Sequence, residues 1–202
     1  MQNRMIHWMA PILGLALIIG GCQTTSVSRL ATEKTVDLSD RWNDTDSRLT
    51  AEEMIQDVLG RPWIGDFQKK TGKEPAVIVG TVVNKSHDHI PTQTFTKDLE
   101  RELTNSGRVV FVASSEEREE IRQERAEQQT HSSEETAKAL GKETAADYML
   151  KGVINSFEES ADGETYKYYQ VTLELIDLEK NRKVWLGDKK IKKLTTRKKL
   201  GF

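Results

Sequence analysis

Apolar residues fall along this chain in three different patterns. Residues 9–19 (MAPILGLALII) form one unbroken block. Met54, Ile55, Val58 and Leu59, and later Phe95, Leu99 and Leu103, recur at three- and four-residue intervals, the spacing that gathers side chains on one face of a helix. Tyr169, Val171, Leu173 and Leu175 alternate with Gln170, Thr172 and Glu174, which puts the two sets on opposite faces of a strand.

These patterns predict an order of elements. Thr50 and Glu53 have capping-box spacing and open a first helix, which Gly60 and Pro62 stop. Residues 75–84 (PAVIVGTVVN) read as a buried strand, 92–107 as an amphipathic helix ended by Gly107, and 108–114 (RVVFVAS) as a second buried strand. Strand, helix and strand in so short a span make a βαβ unit, hence parallel and right-handed. Ser114 and Glu117 again have capping-box spacing and start a helix over 114–129 that has almost no apolar face beyond Ile121 and Ala126. A shorter helix follows at 133–143. Three long strands, 147–159, 164–178 and 183–193, are joined by the turns SADGE and EKNR and form an antiparallel meander. The fold class is α+β: a mixed sheet of about five strands, a βαβ unit followed by a three-strand meander, packed against helices.

The block at 9–19 has the length of a signal-peptide core and is short for a membrane span. A basic start with Arg4 precedes it, and Gly20, Gly21 and Cys22 follow. Small residues let the chain lie extended in a peptidase groove, and the thiol behind them is the nucleophile that takes a diacylglyceryl group. The stretch resembles a bacterial lipobox cut between Gly21 and Cys22. Cys22 is the chain's single cysteine, so its acylation leaves neither disulfides nor thiolate metal sites. Each buried CH2 of the acyl chains contributes about 0.8 kcal/mol to attachment. By the sorting rule known for Gram-negative lipoproteins, Gln23 instead of Asp implies the outer membrane. The expected division is a signal peptide at 1–21, a lipidated N-terminus and tether at 22–35, and one periplasmic domain at 36–202. The tether from 23 to 35 reaches at most about 45 Å.

Charged residues are 31% of the chain and hydrophobic residues 36%, which implies a charged surface around a modest core. A formal net charge of −2 argues against a general nucleic-acid binder. The distribution is uneven: residues 182–202 hold nine Lys or Arg against Asp188, and 114–147 hold ten acids against five bases. A basic tail of this kind suits anionic head groups or an acidic partner, and equally a charged edge strand that resists aggregation.

Catalytic signatures are missing from the sequence. His87-Asp88-His89 sits in a loop without a third or fourth histidine nearby, so it reads as a solvated loop and not a metal site. There is no G-x-S-x-G elbow and no phosphate-binding glycine loop. Asp44 and Asp46 could share acid/base work, but they suit capping of a turn and the first helix better. The expectation is therefore a protein without catalysis, cofactor or metal. What remains is recognition surface. Residues 41–48 (RWNDTDSR) concentrate Arg41, Trp42, Asp44, Asp46 and Arg48, with Trp and Arg favoured as interface anchors. The other reading of this stretch has Trp42 stapling the N-terminal segment to the sheet. Arg118, Arg122 and Arg125 lie on the polar helix and are further candidate contacts.

The lipobox, DLSDRWNDTDSRL, RPW, VIVGTVVNKSHDHI, FTKDLERELTNSG, EEREEIRQER, DYMLKGVINS and YYQVTLELIDLEKNRKVWLGDKKIKK, taken as an ordered series, resemble the LpoB family of outer-membrane lipoproteins. The resemblance runs from Cys22 to about Lys193. It implies a fold like the N-terminal domain of TolB and a non-enzymatic role: binding a class A penicillin-binding protein, a bifunctional peptidoglycan synthase, and raising its output from the periplasmic side. The best-known members carry a long Pro-rich linker after the lipid, whereas residues 23–35 contain no proline. An alternative is an envelope-assembly or secretion accessory, since the CsgG exporter has a related fold. That role needs amphipathic membrane hairpins, and neither 85–107 nor 114–147 shows lipid-facing alternation. A third reading, a periplasmic enzyme, would rest on His87, Asp88 or His89.

Overall fold

The computed structural model describes residues 26–31, 34–131 and 144–196. Expectations placed on residues 1–25, including Gly21 and Cys22, on a helix at 133–143 and on the basic residues from 197 onward lie outside these. Residues 33–202 form a unit of their own, and the fold described below belongs to it.

Helix α1 (Asp44–Leu59) and helix α2 (Trp63–Thr71) precede strand β1 (Ala76–Lys85); helix α3 (Thr92–Asn105), strand β2 (Val110–Phe111) and helix α4 (Ser115–His131) follow. Strands β3 (Tyr148–Ala161), β4 (Glu164–Asp177) and β5 (Arg182–Thr196) come after α4 among the described residues. The sheet runs β2-β1-β3-β4-β5. β1 pairs in parallel with β2 and β3, and β3, β4 and β5 pair antiparallel. This is the α+β mixed sheet that the alternation and the βαβ spacing predict.

The core forms where helical and strand periodicities meet. Phe95, Leu99 and Leu103 of α3 are at most 2% exposed, and so are Tyr169, Val171, Leu173 and Leu175 of β4. Burying each large apolar side chain contributes about 1.5–3 kcal/mol. Helices α1 and α3 pack on each other and on this face of the sheet, α1 over β4 and β5 and α3 over β1 and β2. The β3–β4 turn is set by Asp162 and Gly163, with φ of 51° and 84°. Positive φ at both central residues matches a tight turn to the twist of its strands, and Asp-Gly tolerates it.

Three local expectations are corrected. The first helix begins at Asp44, not near Thr50, and its capping box is Asn43 with Asp46: the Asn43 side chain accepts from the Asp46 N–H and the Asp46 carboxylate from the Asn43 N–H, both at 3.0 Å. Thr50 is fully buried inside the helix, and its hydroxyl has no partner among the described residues. Helix α2, framed by Pro62 and a left-handed Gly72, occupies a stretch the apolar pattern passes over. The second strand shrinks to two paired residues at the sheet's edge, with Val109 and Val112 buried but Val110 exposed. The capping box of α4 forms as the spacing predicts: Ser114 Oγ accepts from the Glu117 N–H at 3.2 Å, and the Glu117 carboxylate from the Ser114 N–H at 2.8 Å.

Candidate functional site

The sequence cluster at 41–48 lies where the N-terminal segment meets the sheet. Capping directs the chain into α1 at Asn43, and the residues before it lie across β4 and β5. Trp42 is half-buried, with its ring edge-on to Phe95 at 6.0 Å and to Tyr169 at 5.6 Å. Its indole N–H donates to Ser47 Oγ at 3.0 Å, so the group's one polar atom is satisfied.

Two lysines of the sheet hold this segment. Lys193 of β5 donates to the Arg41 carbonyl at 2.9 Å and pairs with Asp46 at 2.6 Å and Asp37 at 3.1 Å. Lys167 of β4 is 5% exposed and lies 3.2 Å from Asp88, 3.2 Å from Glu158 and 3.5 Å from Asp40. A buried lysine is tolerated only with such company. Asp88 also accepts from the Trp42 N–H at 3.4 Å and from the Tyr169 hydroxyl, and that hydroxyl lies 3.1 Å from the Asp40 carbonyl.

The electrostatics follow from this packing. Burial alone would push the Asp88 carboxyl up, but the Tyr169 hydroxyl and the Lys167 ammonium outweigh it and hold it below the usual range. Burial likewise opposes the charge on Lys167, and its bonds to Asp88 and Glu158 prevail and raise it. Burial and the neighbouring Asp88 push the Tyr169 phenol well up. Asp37 is held down by Lys193 and Asn43.

The candidate residues therefore occupy distinct places. Trp42 and Asp46 face inward and tie segment to sheet. Arg41 and Asp44 are exposed beside them, and Arg48 pairs with Glu52 at 3.1 Å. Arg118, Arg122 and Arg125 lie on α4: Arg118 donates to the Ala113 carbonyl at 3.1 Å, Arg122 pairs with Glu119 at 2.9 Å, and Arg125 is partly buried beside Ile121 and the β2 edge. Helix α4 is tied to α3 through Lys97, 2.7 Å from Glu117. His87 is occupied by Ser156, whose Oγ accepts its N–H at 2.9 Å and lies 3.0 Å from its ring nitrogen. Among the described residues no three His, Cys, Asp or Glu side chains converge as a metal site would require.

The basic run of β5 is largely matched by acids. Lys183 pairs with Glu174, Lys189 with Glu53, Lys190 with Asp188 at 3.4 Å, and Lys193 as described. Arg182 and Lys192 are the cations of that strand without an ion pair among the described residues. Sequence reasoning missed one feature altogether: an open groove of about 1040 Å³ between α2 and the end of the sheet, with Trp63, Phe67 and Tyr148 in its wall and Arg61 and Arg182 on its rim. Trp63 donates to the Val58 carbonyl at 2.7 Å and stacks edge-on to Tyr148 at 4.8 Å. The Arg-Pro-Trp triplet that leads into α2 was its available signal.

A family model, that of the peptidoglycan-synthase activator LpoB, matches residues 46–191. The chain belongs to the LpoB family. Among solved structures it is similar to the LpoB C-terminal domain from Escherichia coli, with 15% identity over 72% of this chain and 98% of that one and a TM-score of 0.44. It is also similar to the NMR structure of E. coli LpoB (14% identity, 89% and 88% covered, TM-score 0.40) and to lipoprotein GNA1162 from Neisseria meningitidis (14%, 62% and 88%, 0.40). Comparison with curated proteins returns no sequence match. The family match takes in Asp46, Asp88 and Lys167 of the clasp that holds residues 37–48 to β4 and β5, the arginines of α4 and most of β5, whereas Asp37, Asp40, Arg41, Trp42 and Lys193 lie outside it. Among the described residues no helix is long and apolar enough to cross a membrane.

Proposed function

We propose that this LpoB-family protein is an outer-membrane lipoprotein that binds a class A penicillin-binding protein and activates peptidoglycan synthesis from the periplasmic side. The observation that carries the reading is the family match over residues 46–191, nearly the whole folded unit. In this account Cys22 carries the lipid, residues 23–35 form the tether, and the domain acts by contact alone. Arg41, Asp44 and Arg48 beside the clasp, and Arg118, Arg122 and Arg125 on α4, are the proposed contacts; Trp42 and Asp46 position the first group.

Activation without chemistry in the activator requires that the domain bind the synthase's active conformation more tightly than its resting one. The shift in population equals that difference in affinity and no more. A rigid contact surface serves this, because less ordering entropy is then lost on docking. The clasp supplies such rigidity by fixing residues 37–48 against β4 and β5 before any partner arrives.

The reading is tested by capture from detergent-solubilised envelopes of the native host. The full chain, immobilised through a C-terminal tag, retains a class A synthase, and Arg41→Glu with Arg48→Glu weakens retention. Retention of no class A synthase under these conditions contradicts the proposal.

A further inference from the structure

The face of the sheet away from α1 and α3 carries an ordered set of side chains that the synthase contact does not use. Cross-strand register places them in rows. Phe157, Tyr168 and Lys192 lie opposite one another, as do Lys85, Asn155, Gln170 and Lys190 in the next row. Tyr166 and Leu194 are opposite each other in the row beyond the aromatic pair. Phe157 is 55% exposed and Leu194 64%. The Tyr168 hydroxyl donates to Gln170 Oε1 at 3.4 Å. Phe157 and Tyr168 are thus adjacent aromatic groups on strands about 4.8 Å apart.

The neighbouring row is made of donors and acceptors. Asn155 is exposed, and its side-chain amide makes no hydrogen bond among the described residues. Gln170 accepts from Tyr168 through Oε1, and its NH2 has no hydrogen bond among the described residues. Lys85 and Lys192 have no ion pair among the described residues, and Lys190 pairs with Asp188. Two acids without an ion pair among the described residues, Glu159 and Glu164, lie at the hairpin end beside Tyr166.

We infer that this face, built on Phe157, Tyr168, Asn155, Gln170 and Lys192, binds the peptidoglycan strand itself. Alternation decides between a glycan and a protein. Protein interfaces have a contiguous apolar core depleted in charge, whereas here an amide and lysine row separates the Phe157–Tyr168 pair from the apolar Val83–Val153 row. A pyranose ring presents an apolar face that stacks on an aromatic ring and a rim of hydroxyl and N-acetyl groups that pair with amides. The carboxylates of peptidoglycan match Lys85 and Lys192. The inference goes beyond synthase activation and rests on the proposed periplasmic placement, which brings the domain to this polymer.

The test is sedimentation of the full chain, purified in detergent, with purified insoluble sacculi and no synthase present. The wild-type chain is expected in the pellet and released by soluble muropeptides, and Phe157→Ala with Tyr168→Ala returns it to the supernatant. Lys192→Glu, at an exposed position without an ion pair, weakens pelleting and flattens its salt dependence; circular dichroism reports the fold of each variant. A wild-type chain that stays in the supernatant overturns the inference, as does a folded double variant that pellets like wild type. So does loss of synthase capture by the double variant when wild type does not bind sacculi, since the face then belongs to a protein partner. Sacculus binding needs no synthase, so this result and that of the capture experiment are separate.

Discussion

The ammonium of Lys167 lies 3.2 Å from the carboxylate of Asp88, which comes 79 positions earlier in the chain. Together they fasten β4, the loop after β1 and the N-terminal segment at one point, with Tyr169 and the Trp42 backbone bonded to the same carboxylate. Removing one member of such a pair leaves the other buried without its counter-charge, which costs more than the pair contributes intact. Lys167→Met, which keeps most of the aliphatic stem, is expected to destabilise the fold by about 3 kcal/mol. For a chain of this size that lowers Tm by roughly 6–12 °C. Thermal unfolding of Lys167→Met, Asp88→Asn and the double variant checks it, and the double should cost less than the sum of the singles.

The same contacts set a pH window. Asp88 is held below its ordinary range, so its contribution is complete above the unfolded value of about 3.9 and is lost as pH falls through the lower folded value. Glu117, held down by Lys97 and the Ser114 N–H, and Glu174, held down by Lys183, act in the same direction. Lys167 is raised, so its contribution is complete below about 10.4 and disappears as pH rises through its higher folded value. Tm measured against pH is expected to fall on the acid side from about pH 4 downward. Asp88→Asn is expected to make that limb shallower.

Thr50 gives the opposite sign. Its hydroxyl is buried in α1 with no partner among the described residues, and the residue is fully enclosed. Replacing an unsatisfied buried polar group with an apolar one of the same shape is neutral or stabilising. Thr50→Val is expected to raise stability by about 1 kcal/mol, read as a Tm increase of roughly 2–4 °C.

The proposed lipid anchor predicts a change of compartment and not of fold. Cys22→Ser removes the thiol that takes the acyl chains, and the variant is expected to lose palmitate labelling and outer-membrane fractionation. Its Tm should match that of the unacylated wild-type chain. Continued labelling would contradict the role given to Cys22.

Much of the architecture was legible because its signals are long and local. Phe95, Leu99 and Leu103 fix the buried face of α3, and the alternation from Tyr169 to Leu175 fixes the orientation of β4. The start of α1 was misread because two stretches have capping spacing, and Asn43 wins over Thr50 through contacts that no local pattern contains: residues 36–43 dock on the sheet. Helix α2 is short, and its apolar residues Trp63, Ile64 and Phe67 do not extend beyond two turns. Asp88 was read as part of a solvated loop because its partners, Lys167 and Tyr169, are distant in sequence. Lys167 shares the core face of β4 with Tyr169 and Val171. A lysine in register with buried residues was the signal that a buried acid had to be nearby.

The most direct test of the central claim is the rate of glycan polymerisation by the host's purified class A synthase, measured in detergent with and without the full chain. The account predicts a faster rate that saturates with the amount of added chain and that Arg41→Glu with Arg48→Glu shifts to higher concentrations. An unchanged rate at concentrations well above those of the synthase would contradict it.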